Sequence, residues 1–455
     1  MANSAALTSA GRLGLFAAAV GGAIYQIAFA PLPAGYWITV FAVFLMFNTP
    51  SLRWSGLMLI SGALAVSVVA KLHLGLAIGP AVERASFLMA FLFVLQYMGQ
   101  LVAGSDDVAR GARLIAAQPP GRRYVFFSFG SHLLSLFLQL GGLLILIGML
   151  AARAGHESVA TMRALATGAL RGFAATAFWS PLSLSILVTF SSVTGISYLA
   201  FLPVGIGAAA GFMLLGLWME RARRSAVADA SARAQPLGVD DRRLILRLVA
   251  PVAGLIAGGL GLVAVFGLAL IEGVFLAVFT MAAVWSVAQA TRRGMALRDA
   301  VLHGTGGIAN EVAIICGAVV IGTVAADAVL ATEVLSGALD PRTAIAAAAA
   351  IPAIILATSL LAINPLVTVT LLAGALDAVW PDSAKLWLVF ALTGGWSVAA
   401  CGSPLTASML MSAKRLDLPA TRLAFAWNGH FSLVALLIVT LIAVIGTMVT
   451  GARLS

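Results

Sequence analysis

Trp179-Ser180-Pro181-Leu182-Ser183-Leu184-Ser185 sits in the middle of a long run of small apolar residues, and Ile363-Asn364-Pro365-Leu366-Val367-Thr368-Val369 sits in another. A third relative, Gly402-Ser403-Pro404-Leu405-Thr406, lies further along the chain. Proline lacks the N–H a helix needs, and its ring collides with the preceding turn, so each copy frees backbone carbonyls in an otherwise helical segment. In hydrocarbon those carbonyls must be met by neighbours, water or a ligand. A polar-flanked break that occurs twice at membrane depth points to a binding site between discontinuous helices.

The surroundings of these breaks are a bilayer. Of 455 residues 61% are hydrophobic and only 10% charged, with a mean hydropathy of +1.05. Soluble chains carry about 25% charged residues, so this one has too few to cover a water-facing surface. Apolar runs near the length needed to cross roughly 30 Å of hydrocarbon recur throughout, and the alternating texture of a membrane β-barrel is absent. The expected fold is an all-α polytopic membrane protein. The net charge of +10 does not indicate nucleic acid, because the arginines lie in short connections where the positive-inside bias puts them on the cytoplasmic side. Cys316 and Cys401 stand alone in apolar surroundings and read as small buried hydrophobes. Leu13 to Ala30, followed by Pro31, reads as a first span rather than a cleaved leader.

About 11 spans are expected, at 13–30, 35–49, 54–79, 84–103, 124–151, 196–220, 249–268, 270–290, 300–326, 384–411 and 422–450. The stretches 164–195 and 342–381 hold the first two breaks. A polar linker, 221–247, rich in arginine, divides the chain into membrane repeat 1 (1–220) and membrane repeat 2 (248–455). The charged connections are Arg53, then Arg110 to Arg123, then this linker, then Arg292, Arg293 and Arg298, and finally Lys414, Arg415 and Arg422. Placing them all on one side makes both broken stretches re-entrant, with tips near Pro181 and Pro365, and makes the repeats parallel. An inverted pair requires one broken stretch to cross fully.

The candidate binding residues are set by the breaks. Ser180, Ser183, Ser185 and Thr189 supply hydroxyls in the first, Asn364, Thr368 and Thr370 in the second, and Ser403 and Thr406 in the third. A helix that starts after each proline presents unpaired N–H groups and a positive dipole end. Two such ends can receive an anion, while carbonyls freed on the other side can take Na⁺ near Ser180 and Asn364. Gly394 and Gly395 permit close approach by a ligand or, equally, by another helix. Arg171 is a counter-charge for an anionic solute or a residue at a hairpin entrance. Glu311 and His430, ionisable groups within apolar runs, are candidates for proton coupling; His132 lies in such a run as well. No nucleotide-binding loop, zinc-protease helix or nucleophile elbow is found, so no enzyme activity is expected, and any pumping draws on ion gradients.

Two halves joined by a basic linker, with paired polar-proline breaks at Ser180-Pro181 and Asn364-Pro365, resemble the ion-transporter superfamily of arsenite, citrate, dicarboxylate and tripartite-system permeases. The resemblance implies secondary active transport, with Ser180, Asn364 and Thr368 holding solute or Na⁺, an elevator-like carrier domain and a homodimer. The expectation is a carrier of a small anionic organic solute coupled to Na⁺ or H⁺ in a bacterial-type inner (plasma) membrane, with no cofactor beyond Na⁺. The alternatives are a cation/proton antiporter using Glu311 and His430, or a membrane subunit of a multi-protein system that docks through the linker.

Overall fold

A computed structural model describes residues 2–103, 105–118, 120–153, 155, 157–224, 238–293, 308–332 and 339–451. Most of the linker, 225–237, together with Arg298 and the start of the expected span 300–326, lies outside them. The described residues are helical and contain no strand, and ten helices are long and apolar enough to cross a membrane. The chain is a polytopic α-helical membrane protein. Its helices are α1 (Ala2–Ala28), α2 (Ala34–Asn48), α3 (Trp54–Leu74), α4 (Gly79–Ala103), α5 (Asp106–Ala116), α6 (Pro120–Leu138), α7 (Leu140–Ala151), α8 (Val159–Ala175) and α9 (Leu184–Ser192). Then come α10 (Tyr198–Arg224), α11 (Val239–Phe266), α12 (Leu270–Arg293), α13 (Ala309–Ala331), α14 (Pro341–Leu360), α15 (Pro365–Asp377), α16 (Lys385–Gly402), α17 (Ala407–Leu416) and α18 (Gly429–Gly451).

Two compact units form, and each draws on both halves of the sequence. The first comprises 1–102, 255–337 and 374–378. Its interior is aromatic, with Phe16 against Phe93 and Tyr97, and Phe87 against Phe275. Small residues let α13 lie directly on α3: a Cβ on Gly317 would stand 2.8 Å from the Leu59 backbone. The Asn310 side chain accepts the Arg53 N–H just before α3.

The second unit comprises 103–254, 338–373 and 379–455 and contains all three breaks. Here α6 and α7 form a hairpin. Its base is closed by the Arg123–Glu157 ion pair at 2.7 Å and by Arg153 donating to the Ala116 carbonyl. Its tip is Gln139 at φ +49. A second hairpin joins α14 to α15. Its base is tied by the Leu339 N–H to the Val379 carbonyl, and the Thr358 and Thr368 hydroxyls meet at 2.8 Å nearer the tip. That tip includes Ala362 at φ +66. Each hairpin is followed by a broken helix, α8–α9 and then α16–α17.

The two modules match residue by residue. Gln139 and Ala362, Ser180 and Ser403, and Pro181 and Pro404 are each separated by the same 223 positions. Gly172 and Gly395 share this spacing. A Cβ on Gly172 would collide with Ser128 of α6, and one on Gly395 with Pro352 and Ile355 of α14. Each broken helix thus lies against the hairpin before it in the same way. The true partner of the Ser180 break is therefore Ser403, not Asn364.

The structure corrects the expected layout in two places. The segment 124–151 does not span; it folds back, and α7, at 12 residues, reaches about 18 Å, too short to cross. The segment 164–195 does not fold back. It carries on through its break, with α8 on α6 and α9 on α16 rather than on each other. Its far end, Gly195, lies beside Lys385 at the start of α16, while Arg415 at the end of α17 lies beside Gly148 of the first hairpin. The broken helices therefore run antiparallel, the hairpins open at opposite ends of the unit, and the repeats are inverted rather than parallel. The two mistaken assignments exchanged a crossing for a fold-back, so the basic connections counted above in this unit keep their expected side. The link between the two segments changes sides, carrying Arg153 and Glu157, one charge of each sign. Loop charge could not detect the exchange.

Candidate functional site

Both Ser-Pro-Leu breaks make the same turn. The Ser180 hydroxyl accepts the Leu182 N–H at 3.3 Å, and the Ser403 hydroxyl accepts the Leu405 N–H at 3.2 Å. Ser183 and Thr406 then stand in extended conformation at the starts of α9 and α17, and neither side chain caps its helix. Each hairpin is pinned to the break that succeeds it. Gln139 donates to the Leu182 carbonyl at 2.9 Å, and Ser403 donates to the Ser359 carbonyl at 2.7 Å.

The local sequences Ser180-Pro-Leu-Ser-Leu-Ser185 and Ser403-Pro-Leu-Thr-Ala-Ser408 continue in register to Thr189 and Ser412. Their hydrogen bonding differs. At the second break the network closes on itself: Thr406 and Ser408 donate to the Ala400 carbonyl, and the Asn428 amide donates to the Cys401 carbonyl at 2.6 Å. At the first break Ser185, the match of Ser408, has no partner, while Thr189 and its match Ser412 are both unpaired. Ser185 and Thr189 are both 0% exposed, and each oxygen is unpaired. They lie one turn apart on one face of α9, and Ser185 is in the first turn of the uncapped helix. An unsatisfied buried hydroxyl costs about 1–3 kcal/mol, so two together mark a place where a ligand or water belongs.

Arg171, 1% exposed, stands on α8 ahead of the first break. Its Nε donates to the Asn428 side-chain oxygen at 2.8 Å, Nη1 donates to the Tyr124 hydroxyl at 3.0 Å, and the guanidinium lies over the Phe431 ring at 4.1 Å. Among the described residues no carboxylate comes within ion-pair distance of it. Because Asn428 also holds Cys401, the cation is wired to the end of α16 at the second break. A π-helical turn, Arg422–Trp427, precedes Asn428; its extra residue per turn rotates Asn428 and the start of α18 relative to the residues before it. Arg171 has no counterpart in the other repeat, where Gly394 occupies its place.

The remaining expected residues are scattered. Asn364 is exposed, and its side chain accepts the Leu366 N–H, so it caps α15. Thr368 is buried against Thr358 within the second hairpin. Gly394 faces Val439 of α18 and the Phe178 ring, and Gly395 faces α14, so both serve helix packing. Glu311 is exposed in the first turn of α13, in the first unit; His430 is exposed near the start of α18, in the second. Sequence reading missed Gln139, Asn428 and Tyr124. The signal for Gln139 was an amide in an apolar run directly before a leucine and two glycines.

No protein-family model and no curated protein matches this sequence. Among solved structures the chain is similar to the YdaH transporter of Alcanivorax borkumensis, whose crystal structure is described as revealing an unusual topology. The TM-score is 0.51 at 16% identity, over 88% of this chain and 98% of that one. The likeness is one of fold.

Proposed function

We propose that the chain is a secondary active transporter of a small anionic organic solute, coupled to Na⁺ or H⁺. The observation that carries this reading is the pair of orphaned hydroxyls, Ser185 and Thr189, at the uncapped start of α9. They lie within an inverted repeat whose hairpin tips are pinned to broken helices. Unpaired N–H groups and a positive dipole end favour a carboxylate there, and the buried Arg171 adds a field of the same sign. Hydroxyl oxygens can also take Na⁺, and the solute then shares the site. The second break, where Thr406 and Ser408 are satisfied internally, serves as scaffold. The similarity of fold to a transporter supports the reading, as does a membrane side that collects Arg110, Arg242, Arg243, Lys414 and Arg415. That side faces the cytoplasm of a bacterial-type inner membrane. The second unit, which holds both hairpins, is the carrier in an elevator-like cycle, and a homodimer is the expected assembly.

The test is a melting-point screen of the purified protein with succinate, benzoate, methanesulfonate and NaCl, followed by uptake of the stabilising anion into proteoliposomes. A ligand that binds only the folded state raises the melting point. A carboxylate should do so in wild type and in Ser408→Ala, and fail to do so in Ser185→Ala/Thr189→Val. An unchanged response in the double variant would refute the site.

A further inference from the structure

His132, in the middle of α6, has both ring nitrogens engaged. Nδ1 lies 3.0 Å from the Gly172 carbonyl, and Nε2 lies 3.2 Å from Nε1 of Trp179. A carbonyl can only accept and an indole N–H can only donate. The ring is therefore neutral, with its proton on Nδ1 and its lone pair on Nε2 holding the indole. The two rings also stack, with centroids 5.9 Å apart. Trp179 is the residue before Ser180, and its own carbonyl is held by the Tyr198 hydroxyl. The contact thus ties the first hairpin to the first break by a bond that exists in one protonation state only.

We propose that His132 is a proton-responsive positioning residue for the first break. While neutral it clasps Trp179; on gaining a proton at Nε2 it sets N–H against N–H and lets the indole go. The proton comes from water and returns to water when the clasp re-forms, so one protonation accompanies one release. Both side chains are half-buried. Ser128, Ser131 and Ser135 flank His132 on α6, each buried with an unpaired hydroxyl. Ser131 and Ser135 are one turn apart, about 6 Å along the axis, which one water can bridge with two hydrogen bonds. Among the described side chains, the titratable and charged groups on the packed elements are Arg122, Arg123 and Tyr124 on α6; Asp106, Asp107, Arg110 and Arg113 on α5; Arg163 and Arg171 on α8; and Tyr198, Glu220 and Arg221 on α10. None of them is a hydrogen-bond partner of the ring, and α7 carries none. The proposal rests on the transport reading only for what the proton drives.

Nitrogen-15 NMR of the full chain in nanodiscs tests it without any solute, so its failure is separate from a failure of the transport reading. The Trp179 indole signal is the one missing from Trp179→Phe. At about pH 8 the His132 ring should be the neutral Nδ1–H tautomer. As the pH falls from about 8 to about 3, a range wide enough to take in a buried imidazole, the indole signal should shift with the same midpoint as the ring nitrogens. In His132→Gln, whose amide oxygen accepts from the indole but does not titrate in this range, that signal should stay fixed. An Nε2–H tautomer, a ring that gains no proton, an indole that ignores the ring's titration, or one that still shifts in His132→Gln would each overturn the proposal.

Discussion

At the scale of single residues, the two Ser-Pro-Leu turns separate structural hydroxyls from available ones. Ser408→Ala removes a bond to the Ala400 carbonyl and should cost about 0.5–1.5 kcal/mol, read as a lower melting point. Ser185→Ala removes a group that bonds nothing in the protein, so the melting point should hold or rise. A fall equal to that of Ser408→Ala would mean that Ser185 is structural. Arg171→Lys keeps the charge, but a single ammonium cannot reproduce a fork that donates to both Asn428 and Tyr124. It should destabilise the protein by about 1–3 kcal/mol for each partner left unpaired, and a wild-type melting curve would rule out the wiring. The serines were visible in the sequence as hydroxyls near a proline. Which of them already had partners was not, because that depends on Ala400 and Asn428 arriving from other elements.

At the scale of elements, glycine sets how closely each broken helix lies on its hairpin. A Cβ on Gly172 would stand 1.9 Å from the Ser128 carbonyl oxygen, a backbone atom that cannot step aside. Gly172→Ala should therefore part α8 from α6 and cost at least about 1–3 kcal/mol, the usual range for overpacking. An alanine protein as stable as wild type would show that the seam is loose. The second hairpin is anchored by Asp340, which accepts the N–H groups of Arg342 and Thr343 and the Thr343 hydroxyl at the start of α14. The Thr343 hydroxyl, then its N–H, holds the carboxyl below its ordinary value. The cap's contribution is therefore complete above the unfolded carboxylate pKa, about 3.9, and is lost as pH falls through the lower folded value. Acid melting curves should show a smaller loss between neutral pH and that window in Asp340→Asn than in wild type. The hairpin around Gln139 was hidden in the sequence because its tip is an apolar run with one amide and no proline. Gln139 adopts a positive φ that few side chains favour, and the packed hairpin imposes it.

For the whole molecule, the inverted arrangement makes a claim about sides. Single cysteines at Arg110 and Lys414, in a chain with Cys316 and Cys401 replaced, should react with a membrane-impermeant maleimide from one face, and a cysteine at Asp382 from the other. All three side chains are exposed. Labelling of all three from the same face would mean that the second broken helix, α16–α17, folds back instead of crossing, and would overturn the arrangement.

Composition and the length of the apolar runs were enough to establish a multi-pass helical protein, since a chain with so few charges can only bury its surface in lipid. The polar-proline motifs were enough to place the breaks, whereas Pro203, Pro251 and Pro352, without such flanks, lie inside continuous helices. Whether an interrupted helix turns back or goes on was decided by packing, through the glycine seams and the closed hairpin bases, because fold-back and crossing can be exchanged while moving only the link that carries Arg153 and Glu157, whose charges cancel. Which hydroxyls find partners within the protein was decided there too. Two nearly identical motifs differ in whether a distant asparagine reaches their freed carbonyls, and a one-dimensional pattern holds no record of that distance.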